Sequence, residues 1–307
     1  MREFLPELQQ GDIGVLAAAI FIEDRYVPDQ ALNVALGEVA RLYAEAADSG
    51  AAVVCRRYDE ILAARKSGKI ALLLTMEGVE PIGTDLDLLR VFYELGLRVI
   101  GLTHARQNAA ASGGIFASKG SPCEGLSKFG HNLVGACQEL GMILDLAHIN
   151  AAGFDDVLAR TKGPVIVSHT NSRRYYDIER NISDGQIRKI GERGGVIGIN
   201  SVLVSPKEEE ATLDRYIDHI QHVIDLIGID GVGIGFDFFE FIYEQWPEER
   251  KEELRSRLAR PHFVPDLKDH SDARNLTRRL IERGFTDEQI EKILFRNWMR
   301  ILKSLSG

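Results

Sequence analysis

Six polar residues stand where short apolar runs give out: Glu77, His104, His148, His169, Asn200 and Asp237. Most are types that ligate metals or move protons. A lone histidine at a strand end is usually structural, but five such groups in succession argue for a site. The chemistry they suggest is metal-assisted hydrolysis. Neutral imidazole and carboxylate suit Zn²⁺, and Glu77, His148 and His169 can supply three protein ligands. Three ligands leave an open position for a water whose pKa falls toward neutrality. A carboxylate can also bridge two metals. Asp237 is placed to shuttle the proton, while His104 and a loop arginine could hold an anionic substrate.

Residues at successive strand ends meet only if the strands run parallel. The apolar runs are 15–22, 69–78, 98–104, 141–148, 164–169, 195–200 and 231–238. Each is near-continuous, as in strands buried on both faces of a parallel sheet. Helical segments lie between them at 84–95, 127–140, 183–195 and 213–228, with polar starts and glycine stops. Alternation of this kind predicts an α/β fold, a (β/α)8 TIM-type barrel with its polar strand ends on one face. Seven runs are present where such a barrel has eight, so the first strand is expected to be the missing one. The stretch "GVGIGF" lacks the G-x-G-x-x-G spacing and comes last, which argues against a dinucleotide loop.

Composition narrows the classes. With 45% hydrophobic residues the chain can build a large core, and residues 1–307 are expected to form a single domain. The net charge of -9 argues against nucleic acid as a partner. Cys55, Cys123 and Cys137 show no metal-type spacing and read as reduced thiols. No apolar stretch is long enough to span a bilayer, and "MREFLPELQQGDIG" has no signal-type core, which points to the cytoplasm. Residues 239–270 read as a charged insertion, either a solvated helical excursion or a lid. Residues 271–307 read as terminal helices with Ser271 and Thr286 as N-caps.

The stretches "MEGVEPIG", "LRVFYELGLRVIGLTH", "GLSKFGHNLV", "LGMILDLAHIN", "PVIVSHTNSR", "RNISDGQIRKIGERGGVIGIN" and "DHIQHVIDLIGIDGVGIGFDF" occur in this order. Together they make the chain resemble the membrane (renal) dipeptidase family, peptidase family M19, from about Arg2 to Leu302. The resemblance implies two zinc ions bridged by Glu77, with His148 and His169 on one of them. It implies that His104 binds the substrate carbonyl or tetrahedral intermediate, that Arg180 clamps the substrate carboxylate, and that Asp237 is the proton shuttle. Asn200 is a further substrate-binding candidate. It implies hydrolysis of small dipeptides with a free C-terminal carboxylate by a metal-bound hydroxide, and a homodimer.

The match also has a gap. The family's first strand carries a His-x-Asp pair for the second metal, and here the first histidine is His104. One zinc site is therefore complete in this chain. That gap supports an alternative, a catalytically impaired or non-catalytic binding homologue; another metal-dependent amidohydrolase is a further one. Position 239, where the family often has Asp, is Phe, and "DIE" precedes Arg180 where a His-Pro pair is common.

Overall fold

The computed structural model describes residues 3–114 and 124–306; Cys123 lies outside them. In chain order the elements begin α1 (Leu5–Gln10), β1 (Val15–Phe21), α2 (Ala31–Ser49), β2 (Ala52–Cys55), α3 (Tyr58–Lys66), β3 (Ile70–Glu77), α4 (Leu86–Glu94), β4 (Val99–Gly101), α5 (Lys128–Glu139), β5 (Ile143–Asp145) and α6 (Ala151–Arg160). They continue with β6 (Ile166–Thr170), α7 (Asp184–Glu192), β7 (Val196–Ile199), α8 (Leu213–Ile227), β8 (Val232–Ile234), α9 (Glu240–Gln245), α10 (Glu248–Arg257), α11 (Ala273–Glu282) and α12 (Asp287–Glu291). The described residues fall into two compact units, one drawn from Met1–Leu5, Ile13–Lys162 and Leu302–Gly307, the other from Pro6–Asp12 and Gly163–Ile301.

In the first unit β1, β3, β4 and β5 pair side by side, all parallel. β3 is the central strand. Its residues Ala71–Leu73 pair with both β1 and β2, and Thr75–Glu77 pair with both β1 and β4. Since a strand has two edges, β2 and β4 lie end to end along the same edge of β3. Leu72 and Leu73 of β3, on opposite faces of the strand, are 0% and 4% exposed, as a run buried on both faces requires. β1 has only β3 beside it among the described residues. At its end the Phe21 N–H donates to Glu38 Oε2 of α2 at 3.3 Å. Burial pushes the Glu38 carboxyl up to about 7.

The second unit holds the parallel strands β6, β7 and β8 with α7 and α8. α8 is amphipathic, and its inner face is Leu213, Tyr216, Ile217, His219, Ile220 and Val223. β6 carries a bulge: Val167 pairs with Ile197, but the next pair is Thr170 with Ile199. Two β6 residues, Ser168 and His169, thus oppose the single Gly198.

All seven expected runs contain a strand, each shorter than the apolar run that announced it. β2, α1, α2, α3 and α6 were not anticipated. β2 is four residues long, and α2 is alanine-rich with a weak polar contrast. Ser127, Ser183 and Thr286 cap α5, α7 and α12 by accepting backbone N–H bonds. Ser271 does not cap a helix: it lies in a 3-10 turn, His270–Asp272, where the Asp269 side chain accepts the Ser271 N–H. Within 239–270, α10 is strongly charged, whereas Phe239, Tyr243, Trp246 and Phe263 form a small aromatic cluster. A bridge from Phe263 to Val202 ties this segment to the loop after β7. Among the described residues no helix is long and apolar enough to cross a membrane.

Candidate active site

In the first unit Glu77 is the last residue of β3, and His148 follows β5 by three positions. Their side chains meet, His148 Nε2 to Glu77 Oε1 at 2.8 Å, with His148 7% and Glu77 23% exposed. His148 has φ 65°, in the left-handed region that L-residues rarely occupy. This turn carries its imidazole out of the β5 path. The His148 carbonyl accepts from the Gly114 N–H at 2.7 Å, and Gly113 bridges Ile149. Gly113 has to be glycine, because a Cβ there would lie 2.1 Å from the His104 carbonyl oxygen. The His104 ring lies beside that of His148, tilted by 38° with centroids 4.5 Å apart, and makes an edge-type contact with the Phe21 ring at 4.6 Å. The unit therefore brings together Glu77, His104 and His148.

Arg106, two residues beyond His104, was not anticipated. It donates to Glu80 at 2.7 Å, to the Ile22 carbonyl at 2.7 Å and to Asp24. One guanidinium thus fixes the loop after β3, the end of β1 and the loop bearing His104. Sequence reading had no signal for it beyond a basic residue near a strand end.

In the second unit His169 sits on the β6 bulge. Bulges re-aim side chains next to functional sites. The Ser168 carbonyl turns toward β8 and β7, where an added Cβ on either Gly235 or Gly198 would lie 2.0 Å from it. Of the glycines in "GVGIG", Gly235 admits the bulge, while Gly231 and Gly233 make room for the side chains of Ile227 and Trp298, so close packing rather than a dinucleotide accounts for the three. Ser168 Oγ lies 2.7 Å from His169 Nδ1, leaving Nε2 as the outward ring nitrogen, 3.8 Å from Asp237 Oδ2. Asn200 donates to Asp237 Oδ2 at 3.0 Å while its own carbonyl accepts the Val202 N–H at 2.8 Å. Asp237 has φ 54° and a side chain 43% exposed.

Arg180 is 6% exposed and donates to the His169 carbonyl at 2.9 Å. Its own carbonyl accepts from Thr170 Oγ1 at 3.2 Å. The second unit thus gathers His169, Arg180, Asn200 and Asp237. Of the neighbouring arginines, Arg174 is exposed as expected, whereas half-buried Arg173 donates to the Asn181 carbonyl at 2.8 Å and pins the loop. Cys55 and Cys137 are free and buried, and burial raises their thiols to about 11 and about 12, so neither serves as a nucleophile.

Carboxylate and imidazole groups standing at the ends of parallel strands, partly buried and touching, describe a metal-dependent hydrolase. The donor set fits a borderline divalent ion such as zinc, which imidazole nitrogen and carboxylate oxygen bind in hydrolases. The chain belongs to the membrane dipeptidase family, peptidase family M19, whose model matches residues 3–249 and 258–306. An uncharacterized dipeptidase of Schizosaccharomyces pombe is 32% identical over 97% of this chain and 71% of its own length. The dipeptidase tcpJ of Claviceps purpurea is 29% identical over 82% of this chain, which spans only 55% of that relative.

Solved structures agree. A metallopeptidase of family M19, dipeptidase AC, matches with TM-score 0.84 and 28% identity over 99% of this chain and 89% of that one. A Rhodobacter sphaeroides metallopeptidase, liganded with a phosphinate mimic of the dipeptide L-Ala-D-Ala, matches with TM-score 0.82 and 27% identity over 97% and 89%. The fold class is accordingly the expected one, an α/β, incomplete TIM-type barrel. The chain is a metal-dependent hydrolase of the dipeptidase family.

Proposed function

We propose that this chain is a zinc-dependent dipeptidase that hydrolyses small dipeptides with a free C-terminal carboxylate. Glu77, His148 and His169 are the residues that would hold the ion, three ligands of the types and number a catalytic zinc takes. When bound, the ion supplies Lewis acidity and lowers the pKa of a water. The observation that carries the reading is the contact of Glu77 with His148 at 2.8 Å, with the His104 ring 4.5 Å from that of His148.

The remaining residues have separable tasks. His104 donates a hydrogen bond to the substrate carbonyl oxygen as negative charge develops there. Asp237, held by Asn200, takes the proton from the attacking water and returns it to the leaving amine. Arg180 pairs with the substrate carboxylate, for which its planar fork suits it better than a lysine. A relative that binds a dipeptide phosphinate supports this substrate class. A single ligand set, Glu77, His148 and His169, is found among the described residues, and it favours a second reading, a homologue that binds dipeptides with little turnover.

Zinc titration followed by assay on dipeptides and their C-terminal amides separates these readings. One zinc per chain, cleavage of the acids, and loss of it in His148→Ala are expected. Binding without turnover would favour the second reading, and full activity in His148→Ala would refute the metal assignment.

A further inference from the structure

His219 is not among the groups the proposed chemistry uses, yet it is the one imidazole on the buried face of α8, at 0% exposure. Its ring is hydrogen-bonded at both nitrogens. Nδ1 lies 3.0 Å from the Ser172 backbone nitrogen, and Nε2 lies 2.8 Å from the Val204 carbonyl oxygen. An amide N–H can only donate, so Nδ1 must accept, and Nε2 must carry the proton that it gives to Val204. One neutral tautomer satisfies both bonds. The Tyr175 ring packs edge-on against it with centroids 4.8 Å apart.

The two partners belong to two different loops. Ser172 lies in the loop after β6, where Ile182 N–H donates to Asn171 O and Arg173 N–H donates to Ile182 O, each at 2.9 Å. That short ladder grips the chain just beyond Arg180. Val204 lies in the loop after β7, which begins at Asn200. The loops are also tied directly, Asn171 Nδ2 to the Val202 carbonyl at 2.7 Å and Asn181 Nδ2 to the Leu203 carbonyl at 3.4 Å. His219 is the tie that comes from outside both loops, anchored in a rigid helix.

We propose that His219 is a positioning residue for the substrate carboxylate: through Ser172 it fixes the loop that aims Arg180, and through Val204 the loop that follows Asn200. This inference rests on the dipeptidase reading. Each half of the ring can be replaced separately. The Asn amide sits where Nδ1 does and can still accept from Ser172; the Gln amide sits where Nε2 does and can still donate to Val204.

The test compares His219→Asn and His219→Gln by hydrogen exchange over 171–182 and 200–205, and by kcat and KM on L-Ala-D-Ala and its amide. In His219→Gln, exchange should rise over 171–182, and KM for the acid should rise about tenfold with kcat little changed. In His219→Asn, exchange should rise over 200–205 and KM for the acid should stay near that of the wild type. The amide should be unaffected in both. Equal loosening of both segments in both variants, or equal KM changes for acid and amide, would overturn the proposal. If the wild type cleaves neither substrate, the dipeptidase reading fails, while an exchange pattern that does not split between the variants still refutes the role of His219. Should one variant fail to fold, the other retains its own expected segment.

Discussion

Two of the four non-glycine residues with positive φ among the described residues belong to the candidate site. His148 at φ 65° and Asp237 at φ 54° hold conformations that cost side-chain-bearing residues about 1 kcal/mol or more. Asn tolerates this region at least as well as Asp, so Asp237→Asn should keep wild-type stability and lose turnover; Asp237→Leu should lose both, with about 1 kcal/mol off the unfolding free energy in denaturant melts. His219 sets a different expectation. Burial holds its pKa down at about 4, against an ordinary 6.5. The folded chain therefore resists a proton that the unfolded chain accepts. The stability this residue contributes is complete above 6.5 and is lost as pH falls toward 4, by roughly 3 kcal/mol. Urea melts between pH 7 and 4 should show a one-proton slope that disappears in His219→Asn.

At the scale of elements, the bulge in β6 depends on neighbours with no side chain. Gly235→Ala would place a Cβ 2.0 Å from the Ser168 carbonyl, a backbone atom that cannot swing aside. A loss of about 2 kcal/mol and a displaced His169, read by melting and by zinc affinity, is expected. The α2–β1 contact gives the opposite pH sign. Burial raises the Glu38 carboxyl to about 7, so the folded chain holds this proton more tightly than the unfolded one. Its contribution is present below about 4.5 and lost as pH rises through 7. Glu38→Gln should stabilise the chain at pH 8 more than at pH 5, although the Phe21 N–H then meets a neutral acceptor. The same scale shows what periodicity could reach. β3 was legible because Ile70–Leu74 is uninterrupted and apolar, whereas β2 was not, since four residues with mixed burial carry no decisive period.

For the whole molecule, ligation becomes a stability term. A metal that binds the folded chain and not the unfolded one adds about 2.7 kcal/mol at a free concentration one hundred times its Kd. Zinc should raise the Tm by several degrees and a chelator should reverse it, with the shift absent in a chain carrying both Glu77→Gln and His148→Ala. A zinc-independent Tm in the unaltered chain would remove Glu77 and His148 from the ligand set.

Local order along the chain determined much of this protein. Apolar runs set the strands, polar residues after them set which groups the β-strand ends carry, and Ser or Thr before a helix set three of its caps. Those features depend on neighbours a few residues away, so a one-dimensional reading finds them. Tertiary structure alone decided the bulge that turns His169, since it needs Gly198 and Gly235 from two other strands. It also decided the burial of Arg180 against His169 and the anchoring of two loops by His219, 47 residues from Ser172. Hydrogen bonds between distant segments are fixed by where the chain returns, and no composition or spacing encodes that return.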